Sequence, residues 1–550
     1  MSLSQPHLGP DCSILRNLAH QAETRPQAMA IGYYGADLSY GTLWDQVRRL
    51  AAALLGLGVR PGDRVAVDLQ NSPQYVIAYY AVLAVRGVVV PLNPMYRAEE
   101  VAAILSDAGA QVALVAEDLL DRFTGWDGAE ALTLVVARYA DMLPAAPVAP
   151  PPALTQAPAV GLDHDPRLIG WSVALDRPAP DLVPGLTAPA GDPAVLPYTS
   201  GSTGRPKGCL HDHRSVMHTA VLQAEWYAMR ADSVITAVQP LFHVAGMQGS
   251  MNAAIHAGAM LMIMTRWDAD TAISLFGHYR VSFWNAPPTM VVDMMSRGAS
   301  VEPALRRVEI LTGGGAAMPV PVAARLRAEF GLEYIEAFGM SETMSPTHLN
   351  PVRAPQAGTV GIPAQMTDAM IVDPETLAPL PDGEVGELVV SGPQLMRGYW
   401  NRPDADAETF FDHAGRRFLR TGDLALRQPD GYYRIVDRLK RMINASGFKV
   451  WPTEVEHVIF GHPAVEGVCV IAAPDPYRGE TVKALVQLRR GEALTAEALI
   501  GWLGPHLARF KLPRQVEFVD SLPRTASHKV DWRLLQEREA ARATDRAPRT

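Results

Sequence analysis

The sequence predicts an α/β chain, with a large N-terminal domain of largely parallel sheets followed by a small α+β C-terminal domain. Three observations predict it. Helical and strand-like stretches alternate over the first four-fifths of the chain, as βαβ units require. At 550 residues the chain exceeds what one hydrophobic core usually serves, so at least two domains are expected. From Arg441 onward the alternation gives way to a mixed pattern of ordinary domain size.

The elements follow in order. Leu43, Val47, Leu50 and Leu54 recur at helical spacing, and Gly56 and Gly58 stop that helix. Val65, Ala66 and Val67 read as a strand, 75–85 as a helix, and Val88, Val89 and Val90 as a second buried strand. Residues 144–158 are an Ala/Pro-rich surface loop. The alternation resumes with a strand at 233–238, a helix at 247–257 and a strand at 259–264. Short strands at 281–284 and 308–311 are each followed by a helix, near Met290 and Val322. The last part reads as a helix at 454–460, strands at 465–472 and 481–488, a helix at 495–507 and a strand at 515–518. Residues 536–550 alternate charge with alanine and are expected to fray.

Composition excludes several classes. With 48% hydrophobic and 19% charged residues, the chain is a folded globular protein rather than a disordered one. A net charge of −9 leaves no global basic field for nucleic acid, so any phosphate site is local. Cys12, Cys209 and Cys469 show no metal-type spacing, and their odd number argues against a disulfide framework. A reducing cytoplasm is the expected location. Residues 1–17 lack the basic start and apolar run of a signal peptide. The most apolar stretches, 76–92 and 253–264, are interrupted by Arg86, Gly87 and His256. They fall short of the ~20 apolar residues of a membrane span, which leaves peripheral contact with lipid open. Nothing in the pattern specifies an oligomeric state.

The most informative segment is Tyr198-Thr199-Ser200-Gly201-Ser202-Thr203-Gly204-Arg205-Pro206-Lys207-Gly208. Glycines bring backbone N–H groups close to phosphate oxygens, the hydroxyls add donors, and Lys207 adds a mobile point charge. A Walker A loop needs glycine directly before its lysine and Ser or Thr after it. Here Pro206 precedes Lys207 and Gly208 follows, so that reading fails.

This segment resembles the phosphate-binding loop of the adenylate-forming (acyl-activating) superfamily, and further motifs follow in that family's order from about Ala30 to Leu535. The resemblance implies ATP and Mg²⁺, an acyl-AMP intermediate with release of pyrophosphate, and transfer of the acyl group to coenzyme A as co-substrate. Thr199 to Gly204 and Lys207 would hold the phosphates. Glu336-Ala337-Phe338-Gly339-Met340-Ser341-Glu342 matches a segment that is usually Tyr-Gly-Met-Thr-Glu over its last five positions. Phe338 would stack on adenine, Ser341 would bond phosphate and Glu342 would face magnesium, a single carboxylate being enough for Mg²⁺. Phe338 keeps the family's ring and loses its hydroxyl. Gly314, Gly315 and Ala316, in a glycine-rich turn after a strand, would form the adenine wall and the floor of the acyl pocket. Asp423 in Thr421-Gly422-Asp423 would accept hydrogen bonds from the ribose diol.

The resemblance also implies a mobile C-terminal domain. Arg438 would contact ATP or ribose, and Lys440 would be the hinge, dividing the chain into domains 1–439 and 440–550. Arg441 departs from the acidic residue common after that lysine. Ser446 and Gly447 match the loop lining the pantetheine tunnel. Lys529 would bridge the substrate carboxylate and the α-phosphate, although His528 stands where relatives carry glycine. His243 would sit at the carboxylate end of the acyl pocket, and Arg266 would meet the phosphates of CoA. Methionines 247, 340 and 344 near the expected pocket favour a medium- or long-chain fatty acid. An aryl acid flanked by Trp284 and Phe338 is the alternative, and a stand-alone adenylation or luciferase-like enzyme shares the fold.

Overall fold

The computed structural model describes residues 11–546 other than 157–158, 160, 163–164, 182, 200–205, 446–447, 476–478 and 525–529. The chain divides into two compact units, Met1–Asp368 with Ser391–Arg417, and Ala369–Val390 with Phe418–Thr550. This division assigns two stretches upstream of Lys440 to the same unit as the C-terminal residues.

Among its described residues the first unit carries two nine-stranded sheets. Six consecutive strands of one are parallel, in the order Tyr334–Phe338, Ile310–Gly314, Phe283–Asn285, Val234–Ala237, Met260–Ile263 and Met29–Tyr33. Six strands of the other are parallel too: Pro193–Val195, Val88–Pro91, Arg64–Asp68, Val112–Ala116, Thr133–Ala137 and Leu168–Gly170. Antiparallel strands lie only at the edges, where Lys207–Asp212 pairs with Pro193–Val195 on one side and Gly398–Tyr399 on the other. The largely parallel α/β architecture expected from the alternation is what forms.

The helix Pro73–Ala84 explains part of that outcome. All twelve of its residues are buried, as an α-helix without a polar face must be. Ser72 caps it by accepting from the Tyr75 N–H, and Pro73 opens it, where a missing N–H costs nothing. It packs on Tyr40–Gly56, whose Leu43, Val47, Leu50 and Leu54 are buried as their spacing predicts. Each large side chain so buried contributes about 1.5–3 kcal/mol. The stretch expected to be one helix at 247–257 is more unusual: Met247–Asn252 winds as π-helix and Ala253–Ala257 as α-helix. Wider winding of this kind leaves no period that a helical pattern can match.

In the second unit Gly386–Ser391 pairs antiparallel with Arg416–Arg427, which pairs with Tyr433–Arg438. A further sheet joins Phe448–Val450, Ile443–Ala445, Gly479–Leu488 and Val465–Asp475, with Gln515–Phe518 parallel to Gly479–Leu488. The helices Pro452–Phe460 and Ala496–Leu503 pack their Val455, Ile459, Leu499 and Leu503 into the core of that sheet. The C-terminus corrects the sequence reading. Residues Trp532–Arg546 form a helix instead of fraying. Leu535, Gln536 and Glu539 share one face at helical spacing. Leu535 is buried, Gln536 exchanges two hydrogen bonds with the backbone of Ala472, and Glu539 pairs with the buried Lys483 at 2.6 Å. That face is too narrow to show as an apolar stripe.

No described helix is long and apolar enough to cross a membrane.

Candidate functional site

In the first unit the phosphate-loop segment is a hairpin. Lys207 pairs with Thr199 and Gly208 with Tyr198, so the two strands fix both ends of the loop. Ser200, Gly201, Ser202, Thr203 and Gly204 lie outside the described residues. The strand Lys207–Asp212 places its first residue, Lys207, with the ammonium 5.0 Å from the ring centroid of Tyr399.

Two other predicted segments are neighbours in one sheet. Gly313 stands opposite Glu336 and Gly314 opposite Ala337. A Cβ on Gly313 would lie 1.9 Å from the Ala286 carbonyl oxygen, and one on Gly314 would lie 2.2 Å from that of Ala337. Close backbone packing therefore demands both glycines, whatever binds nearby. Gly315 takes a left-handed φ of 82°, and Gly315 and Ala316 are exposed beyond the carboxyl end of the strand, where ligands of open α/β sheets sit.

Glu336 lies on the strand Tyr334–Phe338 with its carboxylate accepting from the Met318 N–H at 3.3 Å. Burial pushes its carboxyl up to about 8, so it keeps its proton at neutral pH. Phe338 meets the ring of His348 edge-on at 6.2 Å. Beyond Gly339 the chain makes a tight turn, Ser341–Thr343, followed by Met344 and Ser345 at φ values of 47° and 44°. Non-glycine residues rarely hold this conformation, and such strain collects at functional sites.

That turn is tied to the hairpin by two side chains. Tyr399 donates its hydroxyl proton to Glu342 Oε1 at 2.9 Å. His211 Nε2 lies 2.7 Å from the Ser341 carbonyl oxygen, and its Nδ1 lies 3.2 Å from Ser215 Oγ. Burial pushes the His211 imidazole down to about 4, so it is neutral and donates from Nε2. The Met396 N–H donates to the Glu342 carbonyl oxygen at 2.8 Å. Lys207 and Glu342 thus flank one phenol. Glu342 is 9% exposed. Among the described residues no three acidic, histidine or cysteine side chains cluster as a metal cage.

His243 opens the short turn Val244–Gly246, its Nδ1 accepting from the Ala245 N–H at 3.4 Å. Asn71 orients the approach to it, accepting from the Leu241 N–H and donating to the carbonyl oxygens of Ala237 and Gln239. Met247 and Met344 are fully buried. Trp284 does not flank a ligand ring as expected. It is fully buried, stacked on Trp267 at 6.0 Å and edge-on to Phe276 at 5.3 Å. Strand alternation puts it on the opposite face from Asn285, which bonds Gln239 and Ser250. Arg266 is exposed, near enough to Asp118 to act on its charge.

In the second unit, Asp423 and Arg438 stand opposite each other in adjacent strands, with Arg438 Nε 2.9 Å from Asp423 Oδ1. Thr421 Oγ1 accepts from the Asp423 N–H at 3.1 Å, fixing the turn. Lys440 lies in the short helical turn Leu439–Arg441. Arg441, the departure from the family pattern, is largely buried. Its guanidinium bonds Glu456 and the Val470 carbonyl oxygen and lies 5.4 Å from the Trp532 ring centroid. Arg441 thereby helps hold the second unit together. Ser446, Gly447 and Lys529 lie outside the described residues.

Residues 18–400 match the model of the AMP-binding enzyme family, and 454–529 match that of the AMP-binding enzyme C-terminal domain. The chain belongs to the AMP-binding enzyme family. A long-chain-fatty-acid–CoA ligase from Bacillus subtilis is 33% identical to this AMP-binding enzyme, covering 96% of this chain and 95% of that protein. A feruloyl-CoA synthase from an Amycolatopsis species is 34% identical over 93% and 96%. The crystal structure of ATP-bound MatB from Rhodopseudomonas palustris superposes with a TM-score of 0.84 at 26% identity, covering 95% of this chain and 98% of that one. This AMP-binding enzyme is an acid–thiol ligase of the AMP-forming kind.

Sequence reasoning missed Tyr399, His211 and Asn71. Tyr399 sits in Arg397-Gly398-Tyr399-Trp400, an aromatic pair after a glycine that reads as a strand end. Only its pairing with Cys209, 190 residues earlier, puts it beside the site.

Proposed function

We propose that this ligase uses ATP to activate a medium- or long-chain fatty acid as acyl-AMP, releasing pyrophosphate, and then transfers the acyl group to coenzyme A in the cytoplasm. The observation that carries the reading is the convergence of Lys207 and Glu342 on Tyr399, at the foot of the phosphate-loop hairpin. Adenylation presses a carboxylate anion against an anionic triphosphate, so charge must be neutralised where it develops and the reactants held in line.

In this reading Thr199 to Gly204 and Lys207 bind the phosphates, and Ser341 adds a hydroxyl. Glu342 would hold Mg²⁺, which supplies charge neutralisation at the phosphates. Glu336, Ala337, Phe338 and Gly339, with Gly314, Gly315 and Ala316, wall the adenine. Asp423 accepts from the ribose hydroxyls, with Arg438 beside it. Lys529 carries the positive charge to the reacting carboxylate and α-phosphate, and a domain pivot at Lys440 exchanges it for the CoA-facing surface of Ser446 and Gly447. His243 positions the acid, and Arg266 meets the CoA phosphates.

The fatty-acid assignment is supported by the Bacillus relative. An aryl acid is the second reading, favoured by the equal likeness to the feruloyl-CoA synthase. A carboxylic-acid panel assayed for pyrophosphate release with ATP and Mg²⁺ decides. Release with C8–C18 acids and none with benzoate or cinnamate acids supports the first reading, and the reverse pattern supports the second. No release with any acid would leave the adenylation reading without support.

A further inference from the structure

One side chain outside every motif read from the sequence touches the two charged groups of the candidate phosphate site. We propose that Tyr399 is a positioning residue that holds Glu342 in a one-oxygen pose for magnesium and steadies Lys207 for phosphate. The proposal rests on the reading of Glu342 as the metal-binding carboxylate.

Its backbone is clamped first. Tyr399 pairs with Cys209 in the sheet, its N–H donates to Asp406 Oδ1 at 2.7 Å, and the Trp400 N–H donates to the Gly208 carbonyl oxygen at 2.7 Å. The same stretch grips the backbone of Glu342 through the Met396 N–H. A side chain on such a support is pre-organised and does not need to find its partner. Its hydroxyl then donates to Glu342 Oε1 at 2.9 Å. With one lone pair of Oε1 engaged, the carboxylate's rotation is fixed and Oε2 is the freer oxygen for a metal. One oxygen suits Mg²⁺ and its strict octahedron, whereas a freely turning carboxylate can chelate the larger Ca²⁺ through both. The ring face meets the Lys207 ammonium at 5.0 Å, within cation–π range. A single residue thereby fixes the spacing between the metal carboxylate and the phosphate lysine.

The test uses the full chain with Tyr399→Phe, Tyr399→Leu, Glu342→Gln and the Tyr399→Phe/Glu342→Gln double variant. A non-hydrolysable ATP analogue is titrated calorimetrically without metal, with Mg²⁺ and with Ca²⁺, beside pyrophosphate release across a Mg²⁺ series. Tyr399→Phe should lower the Mg²⁺-dependent gain in nucleotide affinity about tenfold, as for a lost hydrogen bond to a charged group. It should also narrow the preference for Mg²⁺ over Ca²⁺, while kcat recovers to within about threefold at saturating Mg²⁺. Tyr399→Leu should in addition weaken metal-free nucleotide binding about threefold, because Lys207 loses the ring. The double variant should be no worse than Glu342→Gln, since the phenol acts through that carboxylate. Parental metal dependence in Tyr399→Phe, or losses that multiply in the double variant, would overturn the proposal. If Glu342→Gln itself keeps the full Mg²⁺-dependent gain, the metal reading of Glu342 falls instead. Should Tyr399→Phe fail to fold, Tyr399→Leu, alone and combined with Glu342→Gln, carries the Mg²⁺ comparison with the same two outcomes.

Discussion

Glu342 and Asp423 are both nearly buried carboxylates at motifs read from the sequence, 9% and 3% exposed, but their partners differ in charge. Glu342 accepts from a neutral phenol, a partner that brings no compensating charge. Asp423 pairs with the Arg438 guanidinium, and the pair is close to neutral as a unit. A carboxylate left charged in a poorly hydrated place attracts a cation. One neutralised by arginine is suited to accept hydrogen bonds from uncharged hydroxyls, the chemistry of a ribose diol. In the proposed reading, two residues of the same class are prepared for different ligands by the neighbour each is given.

This contrast supposes that charge around the nucleotide is divided among side chains with separate duties, and the largest expected effect tests that division. Lys529→Ala should depress acyl-AMP formation by about 10³-fold, at the upper end for loss of a transition-state donor, and leave thioester formation from supplied acyl-AMP near parental. Equal loss of both half-reactions, each assayed alone, would break the division. Next, Glu342→Gln keeps the shape and removes the charge, so pyrophosphate release should fall about 10²-fold and lose most of its Mg²⁺ dependence. Asp423→Asn should cost less, raising KM for ATP about tenfold with Mg²⁺ dependence intact, because an acceptor remains while Arg438 loses its counter-charge. If the two substitutions shift the Mg²⁺ titration alike, the distinction between the carboxylates is wrong.

The smallest effect concerns Glu336, a third buried carboxyl, which accepts from the Met318 N–H and is neutralised by its own proton. Its folded pKa of about 8 exceeds an unfolded value of about 4.3, so the folded state binds the extra proton between those limits. Stability is therefore lost as pH rises from about 4 through about 8 and is level below that window. Glu336→Gln should raise the Tm by a few degrees at about pH 8.5 and leave it unchanged at about pH 4. A pH-independent shift would show that Glu336 is not protonated in the folded chain.

How much of this was legible follows from where each signal resides. The buried parallel strands were readable because Val65, Val67, Val88 and Val90 form short apolar runs between turn residues. Glu342 and Asp423 were readable because the loops that carry them keep a fixed local spelling. Their partners are of two kinds. Arg438 lies 15 positions from Asp423, within the same motif-bearing stretch, and was singled out. Tyr399 lies 57 positions from Glu342 and His211 lies 130 from Ser341, distances that only sheet pairing closes. Trp284 misled for a related reason: an aromatic residue near an expected pocket says nothing about which face of its strand it occupies, and here it packs on Trp267 and Phe276.

The wide winding of Met247–Asn252, just past His243, has a consequence for how such a protein can change. A π-turn is an α-helix holding surplus backbone, so deleting one residue, such as Gly249, lets it rewind to the ordinary pitch. The side chains between Met247 and Asn252 would be redistributed around the axis, while Ala253–Ala257 and every strand kept their register. One codon lost or gained there should redraw the wall beyond the histidine, and a shift in the ranking of acids accepted by the Gly249-deleted chain is the trace it should leave.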